Sequence, residues 1–161
     1  MQSTAQGIAS LVGRVFLATI FLLSAVGNKI PNFEGTVAYM ESKGMPMPPL
    51  MLVGAIVFLV LGSLSIISGF QTRTGATMLL IFLILATYYF HDFWNYGPDD
   101  LWISSQDETV TQPKAMVEQI SFMKNLSMAG AMIFLIANGG GAWSLDECWG
   151  KKTPQSETES A

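Results

Sequence analysis

The chain has 161 residues, of which 50% are hydrophobic and only 12% are charged, whereas an average soluble domain carries about a quarter charged residues. Its formal net charge of −4 at pH 7 argues against nucleic-acid binding, which requires clustered lysine and arginine. With one cysteine, Cys148, and one histidine, His91, the sequence excludes an internal disulfide, a C-x-x-C redox pair and a bis-histidine haem site. No spacing fixes a second strong metal ligand, so we predict no metal site.

Four apolar segments predict membrane-spanning helices. The first runs from Gly7 to Gly27 and contains one charge, Arg14. The second, from Leu50 to Phe70, contains no charged residue, and a helix of that length covers about 30 Å, the thickness of a hydrocarbon core. The third runs from Gly75 to Phe93 and the fourth from Leu126 to Trp143. The sequence therefore predicts an all-α, integral membrane, four-helix up-down bundle.

The first connection between spans predicts a short helix on the membrane surface. In residues 32–43, apolar side chains recur at i, i+4 and i+7, as Phe33, Val37 and Met40. A run rich in proline and methionine, residues 45–49, then leads into the second span as an extended turn.

The third connection predicts a second interfacial helix. It begins with an acidic stretch, and after Pro113 the residues Met116, Ile120 and Met123 form one stripe that runs into the fourth span. We therefore expect residues 114–124, like residues 32–43, to form a helix on the membrane surface or over the end of the bundle. Residues 1–150 then make a four-helix transmembrane domain. Residues 151–161 are polar and rich in Ser, Thr and Glu, which predicts a disordered tail.

An even number of spans places both termini on one side of the membrane. We call that end of the bundle the near end, and the end with the first and third connections the far end. The eight basic residues divide equally between the two sides, so the positive-inside rule discriminates little. Both arginines and the Lys151–Lys152 pair lie at the near end, which favours cytoplasmic termini.

Polar side chains gather at the far end of three spans. Ionisable residues at membrane depth are costly and are candidates for function, although interfacial ones often only anchor their own helix. His91 is either an aromatic-belt residue or a proton donor or hydrogen-bond partner of a ligand such as a quinone. We predict that the far end binds an oxygen-bearing head group, of a quinone or a lipid, through Lys29, His91, Lys124 and Asn125. The aromatic residues expected around this site are Tyr88, Trp94 and Phe122.

Two charged residues at the near end suggest a structural contact. Arg14 lies about two turns inside the first span, where it must reach the interface or find a partner, and Asp146 follows the fourth span. We predict a structural ion pair between Arg14 and Asp146, with a proton relay as the alternative.

These motifs occur in an order that resembles the DoxX family of small bacterial four-helix membrane proteins. The resemblance covers about residues 8–147, and the acidic stretch 95–112 departs from it. The motifs that carry it are Gly13-Arg14, Ser24-Ala25-Val26-Gly27-Asn28-Lys29, Gly44-Met45-Pro46, Gly69-Phe70-Gln71-Thr72-Arg73, His91-Asp92-Phe93-Trp94, Phe122-Met123-Lys124-Asn125-Leu126 and Trp143-Ser144-Leu145-Asp146.

The resemblance implies a role beside other membrane proteins. DoxX relatives are linked to respiratory and sulfur redox chemistry, which suggests an accessory subunit of a bacterial inner-membrane redox complex that contacts quinone or lipid. The alternative is a membrane assembly factor, chaperone or receptor for client membrane proteins. The sequence lacks flavin, haem and disulfide motifs, so we expect no catalysis by this chain alone and no covalent cofactor. If it is catalytic, it acts within a quinone-dependent oxidoreductase.

Overall fold

The computed structural model describes residues 4–103 and 111–150. The tail 151–161 lies outside the described residues, so its predicted disorder stays a prediction. In chain order the elements are helix α1 (Thr4–Leu23) continuing as a π-helix (Ser24–Lys29), α2 (Phe33–Ser42), α3 (Pro48–Ser68), α4 (Thr72–Phe90), a 3-10 turn (Phe93–Asn95), strands β1 (Leu101–Ile103) and β2 (Thr111–Pro113), α5 (Lys114–Asn138) and α6 (Leu145–Gly150).

Four of these helical segments are long and apolar enough to cross a membrane, which confirms the predicted bundle. They are Thr4–Lys29, Pro48–Ser68, Thr72–Asn95 and Lys114–Asn138. Consecutive spans pack against each other in chain order, α1 on α3, α3 on α4 and α4 on α5. This is the neighbour order of an up-down bundle with short connections.

The third connection differs from the prediction. Residues 114–124 are helical, but they form the first turns of the spanning helix α5 and not a separate interfacial helix. No proline interrupts residues 114–138, and the helix ends at Asn138 because Gly139 adopts a positive φ of 75°. The described part of the connection instead holds the 3-10 turn and the antiparallel pair β1–β2.

The predicted helix in the first connection is confirmed as α2. It packs against α3, and Tyr39 stacks on Phe90 at the end of α4 with 5.4 Å between ring centroids. Buried Met40 faces the bundle, whereas Glu34 and Glu41 are exposed. The amphipathic stripe therefore decides which side of α2 covers the far end of the bundle.

The interior of the bundle combines small residues with a few large aliphatic ones. Ala18 on α1, Leu59 on α3, Leu79 on α4 and Met132 on α5 are all fully buried. Large apolar side chains also cover the outside, where Phe16 is 76% exposed and Phe134 67% exposed. In a membrane these outer side chains contact lipid, so packing of small residues and not hydrophobicity alone holds the spans together.

Helices α3 and α4 come into close backbone contact at two facing glycines, Gly62 and Gly75. A Cβ added to Gly62 would lie 3.0 Å from the carbonyl oxygen of Gly75, and one added to Gly75 would lie 3.0 Å from the carbonyl oxygen of Gly62. Gly130 on α5, in contrast, has open space where its Cβ would stand. Gly75 and Gly130 thus form a matched pair of positions for testing the contact between α3 and α4.

We expect Gly75→Ala to lower the free energy of unfolding by about 1–3 kcal/mol, because the added methyl group overpacks a backbone contact. Gly130→Ala should be neutral or stabilising by up to about 1 kcal/mol, since alanine is the better helix former and meets no neighbour. Denaturant unfolding in a mild detergent compares the two variants. A Gly75→Ala protein as stable as Gly130→Ala would show that this approach does not limit packing.

Candidate functional site

The four residues predicted to bind a head group all line one cavity at the far end of the bundle. The cavity has a volume of about 780 Å³, and α2 contributes to it from Asn32 to Met40. We call it the head-group cavity. Lys29, His91, Lys124 and Asn125 reach it from the ends of the first and third spans and from α5, so the bundle brings these residues together.

Lys29 enters the cavity because α1 ends in a π-helix. The wider π turn brings residues five apart onto one face, and the Nζ of Lys29 donates a hydrogen bond of 2.7 Å to the hydroxyl of Ser24. The same ammonium lies 5.5 Å from the ring centroid of Phe82 on α4. π-Helical turns are frequent at functional sites, and this one points a cation inward.

His91 is held by a residue that the sequence analysis missed. Its Nδ1 lies 2.8 Å from Oε2 of Glu118, and the Glu118 side chain is only 13% exposed. Glu118 precedes Asn125 by seven residues on α5, so helical periodicity places both on one face. This seven-residue spacing is the feature of the sequence that could have indicated Glu118 as a site residue. The contact fixes one ring nitrogen of His91 and leaves Nε2 for other partners.

Asn125 is the most buried of the predicted site residues, at 6% exposure. Its Nδ2 donates a hydrogen bond of 3.0 Å to the hydroxyl of Thr87, one helical turn before His91 on α4. The last turn of α4 therefore positions two cavity residues at once. Lys124, the neighbour of Asn125, lines the cavity while remaining exposed.

The aromatic lining differs from the prediction. Tyr88, Trp94 and Phe122 do not line the cavity; Tyr88 is 68% exposed and Trp94 56% exposed. Phe122 packs edge-on against Phe93 and Trp94 of the 3-10 turn, with centroid distances of 5.3 and 6.1 Å. Because α5 starts at Lys114, Phe122 meets this turn and not the cavity. The aromatic wall is made instead by Phe21, Tyr39, Phe58, Phe82 and Phe90.

The end of α2 is attached to the third connection by Lys43. Its Nζ lies 3.3 Å from Oδ1 of Asp92 and donates a hydrogen bond of 2.8 Å to the hydroxyl of Tyr96. Burial disfavours the charge on Lys43, but the hydrogen bonds to Tyr96 and Asp92 outweigh it and raise the pKa of Lys43. Burial also raises the pKa of Tyr39, so this cavity residue presents a neutral phenol. The helix that covers the cavity is thus held by a charged pair.

The ion pair predicted between Arg14 and Asp146 is not formed. Arg14, only 2% exposed, donates hydrogen bonds to the backbone carbonyls of Trp143 at 2.8 Å and Ile67 at 3.4 Å. Asp146 accepts hydrogen bonds from the backbone amides of Gln71 at 2.7 Å and Thr72 at 3.0 Å.

The unpaired backbone groups at helix ends explain why Arg14 and Asp146 bind backbone atoms and not each other. The last carbonyls of α3 lack partners within their helix and attract the cation, whereas the first amides of α4 attract the anion. Asp146 still attracts the Arg14 guanidinium at longer range. We call these contacts the helix-end clamp: Arg14 on the end of α3 and on Trp143, and Asp146 on the start of α4.

Comparisons with known proteins agree with this architecture. The DoxX family model matches residues 9–92. Inner membrane protein YphA of Escherichia coli (strain K12) is 32% identical over 142 residues, covering 88% of this chain and 91% of YphA. Inner membrane protein YqjF of the same strain is 32% identical over 147 residues, covering 91% of this chain and 96% of YqjF. No solved structure matches the chain. Since the family model covers more than half of the chain and both relatives align over most of their length, this integral membrane protein belongs to the DoxX family.

Proposed function

We propose that this chain is an accessory subunit of a membrane redox complex, and that its head-group cavity holds the oxygen-bearing head of a quinone or lipid. The observation that carries the proposal is the convergence of Lys29, His91, Lys124 and Asn125 on one cavity with largely apolar walls. Its volume of about 780 Å³ lies within the range of small-molecule sites. The resemblance to DoxX relatives linked to respiratory chemistry supports the redox setting.

The proposed role is contact with the ligand, and electron transfer is left to a partner. The sequence carries no flavin, haem or disulfide motif. What the cavity offers is hydrogen bonding and the imidazole of His91, which pairs with Glu118, a residue outside the lining. Such a pair can exchange a proton with a head group when a neighbouring subunit supplies or removes electrons.

We propose that the protein lies in the bacterial inner membrane, because both relatives are named as inner membrane proteins. Both termini are proposed to lie in the cytoplasm, because the near end carries Arg14, Arg73 and the Lys151–Lys152 pair. A reporter fused to the C-terminus and another inserted in residues 99–108 should then give opposite signals. A periplasmic signal from the C-terminal fusion would reverse the orientation.

The redox role is tested by alanine substitution in the intact membrane. We expect His91→Ala and Lys29→Ala to lower quinone-linked turnover by about ten- to a hundredfold, because each removes a hydrogen bond to the head group of about 1.5–3 kcal/mol. Lys114→Ala is the matched control, since Lys114 stacks on Tyr96 outside the cavity. Purification in mild detergent, with identification of co-purifying proteins, shows whether the complex still assembles. Normal turnover in both cavity variants would contradict the proposal.

A second candidate function is a membrane assembly factor or receptor that binds client helices. Small residues on α5 support it: Ser127 is exposed, and the side of Gly130 is open to the surroundings. The small residues Ser65 and Gly69 at the end of α3 do not support it. Ser65 donates to the carbonyls of the α3–α4 turn, and Gly69 contacts Arg14. Loss of partner association in Gly130→Leu, with cavity variants unaffected, would favour this role.

A further inference from the structure

The charged groups that line the head-group cavity are basic. They are Lys29, Lys124 and, when protonated, His91, whereas the fourth titratable group, Tyr39, is a neutral phenol. No carboxylate belongs to the lining that the structure describes. The cavity therefore presents a positive electrostatic potential to whatever occupies it.

The acidic residues of the far end that the structure describes have other positions, and among them Asp99 and Asp100 are exposed and do not line the cavity. Glu118 pairs with His91 at 2.8 Å, so a protonated His91 is already balanced. Asp92 pairs with Lys43 at 3.3 Å. Glu34 and Glu41 are seven residues apart on the exposed side of α2, which faces away from the cavity. None of them is placed to balance the two lysines.

Lys29 and Lys124 thus carry charge without a bound counter-charge. Among residues 4–103 and 111–150, neither ammonium has a carboxylate within 4.0 Å. The contacts of Lys29 are a neutral hydroxyl, Ser24, and an aromatic ring, Phe82. A half-buried cation near membrane depth is costly unless it is paired, so the site favours an anionic ligand.

The cavity wall also continues onto the outer, lipid-facing surface. Leu50, Met51 and Leu85 line the cavity and are at the same time 63%, 39% and 48% exposed. An apolar chain attached to the head group can leave the cavity along these side chains and enter the bilayer. A free inorganic anion would match the lysines but would leave this apolar wall unused.

We propose that Lys29 and Lys124 bind the phosphate of an anionic phospholipid whose acyl chains lie along this wall. The inference deepens the proposed function, because it rests on an amphiphile occupying the same cavity. A phosphate accepts several charge-assisted hydrogen bonds and neutralises the cations, whereas a quinone head offers only uncharged acceptors. Basic pockets between transmembrane helices are a recurring form of anionic-lipid site.

The test measures lipid binding to the full chain in detergent by native mass spectrometry. The probes are palmitoyl-oleoyl phosphatidylglycerol, phosphatidylcholine with the same acyl chains, decylubiquinone and inorganic phosphate. Both phospholipids carry a phosphate, but the quaternary ammonium of choline cancels the net negative charge and is repelled by the two lysines, so we expect phosphatidylglycerol to bind about tenfold more tightly than phosphatidylcholine. Lys29→Gln and Lys124→Gln should each remove most of this preference, and inorganic phosphate alone should not compete at equal concentration.

Two further variants keep the test decisive. Lys29→Arg retains the charge and should retain the preference even if Lys29→Gln fails to fold. Lys114→Gln removes a far-end cation outside the cavity and should leave binding unchanged. Equal binding of the two phospholipids, or full competition by inorganic phosphate, would overturn the lipid assignment. If decylubiquinone binds and depends on Lys29 while phosphatidylglycerol does not, this inference fails and the proposed function stands; if neither amphiphile binds, both fail.

Discussion

Arg14→Gln is expected to lower the free energy of unfolding by about 3–5 kcal/mol, because it removes charge-assisted hydrogen bonds to backbone carbonyls of about 1.5–3 kcal/mol each. Arg14 is 2% exposed and donates to the carbonyls of Trp143, Ile66 and Ile67 at 2.8, 3.5 and 3.4 Å. Without the guanidinium, the carbonyl of Ile67 loses this donor and that of Ile66 keeps only the bond from the Gly69 amide at 3.2 Å. Carbonyls without a donor are costly in a membrane.

The geometry around Arg14 explains why lysine should replace it poorly. The planar guanidinium reaches α3 with Nη1 and Trp143 with Nη2, and a single ammonium cannot span both directions. A Cβ on Gly69 would collide with Nη1 of Arg14. The glycine in this turn, with φ of 71°, therefore leaves space for the Arg14 side chain. We expect Arg14→Lys to lose about half of the stability lost in Arg14→Gln.

Denaturant unfolding in a mild detergent measures these losses. Arg73→Gln is the matched control, because Arg73 lies at the same end of the bundle but is exposed and makes one bond of 3.3 Å to the carbonyl of Ala137. Its removal should cost no more than about 1 kcal/mol. Equal losses for the two arginines would mean that the burial and contacts of Arg14 do not determine stability.

Asp146→Ala is expected to lower the free energy of unfolding by about 2 kcal/mol. The Asp146 carboxylate accepts from the amides of Gln71 and Thr72, the first groups of α4, and its own amide donates to the carbonyl of Gly69 at 2.9 Å. A residue 75 positions away thus caps the helix that would otherwise leave amides free. Asp146→Ala removes the carboxylate but retains the hydrogen bond from the backbone amide of residue 146 to the carbonyl of Gly69.

Asp146→Asn should cost about half as much as Asp146→Ala, because the amide keeps one acceptor oxygen but loses the charge that favours a helix N-terminus. Thermal unfolding in detergent compares them, with Glu34→Ala as the control for removing an exposed acid on α2. A loss for Asp146→Ala no greater than for Glu34→Ala would contradict the capping role.

The double variant separates the helix-end clamp from an ion pair. Because Arg14 and Asp146 bind different helix ends, the losses in Arg14→Gln and Asp146→Ala should largely add, apart from their longer-range attraction. If Asp146→Ala removed most of the effect of Arg14→Gln, the two charges would form a pair in the membrane after all.

The sequence by itself determined the spans and the layer in which the site lies. Uninterrupted apolar length, as in Pro48–Ser68, is a local property that only a spanning helix satisfies. Once four spans alternate in direction, Lys29, His91 and Asn125 must reach the same end, because each lies at the corresponding end of its helix. The stripe of α2 is local in the same sense, and its helix is confirmed.

Only the tertiary structure decided which partners these residues take. Charge pairing suggested Arg14 with Asp146, but the clamp forms because helix ends expose carbonyls and amides whose positions depend on how α3, α4 and α6 meet. Glu118 was missed because its partner, His91, belongs to a different span. A contact between two spans cannot be read from the local hydropathy pattern of either one. Phe122 packs on the 3-10 turn because α5 begins at Lys114. The rotation of a helix about its axis, and not its composition, selects the side chains that line a cavity.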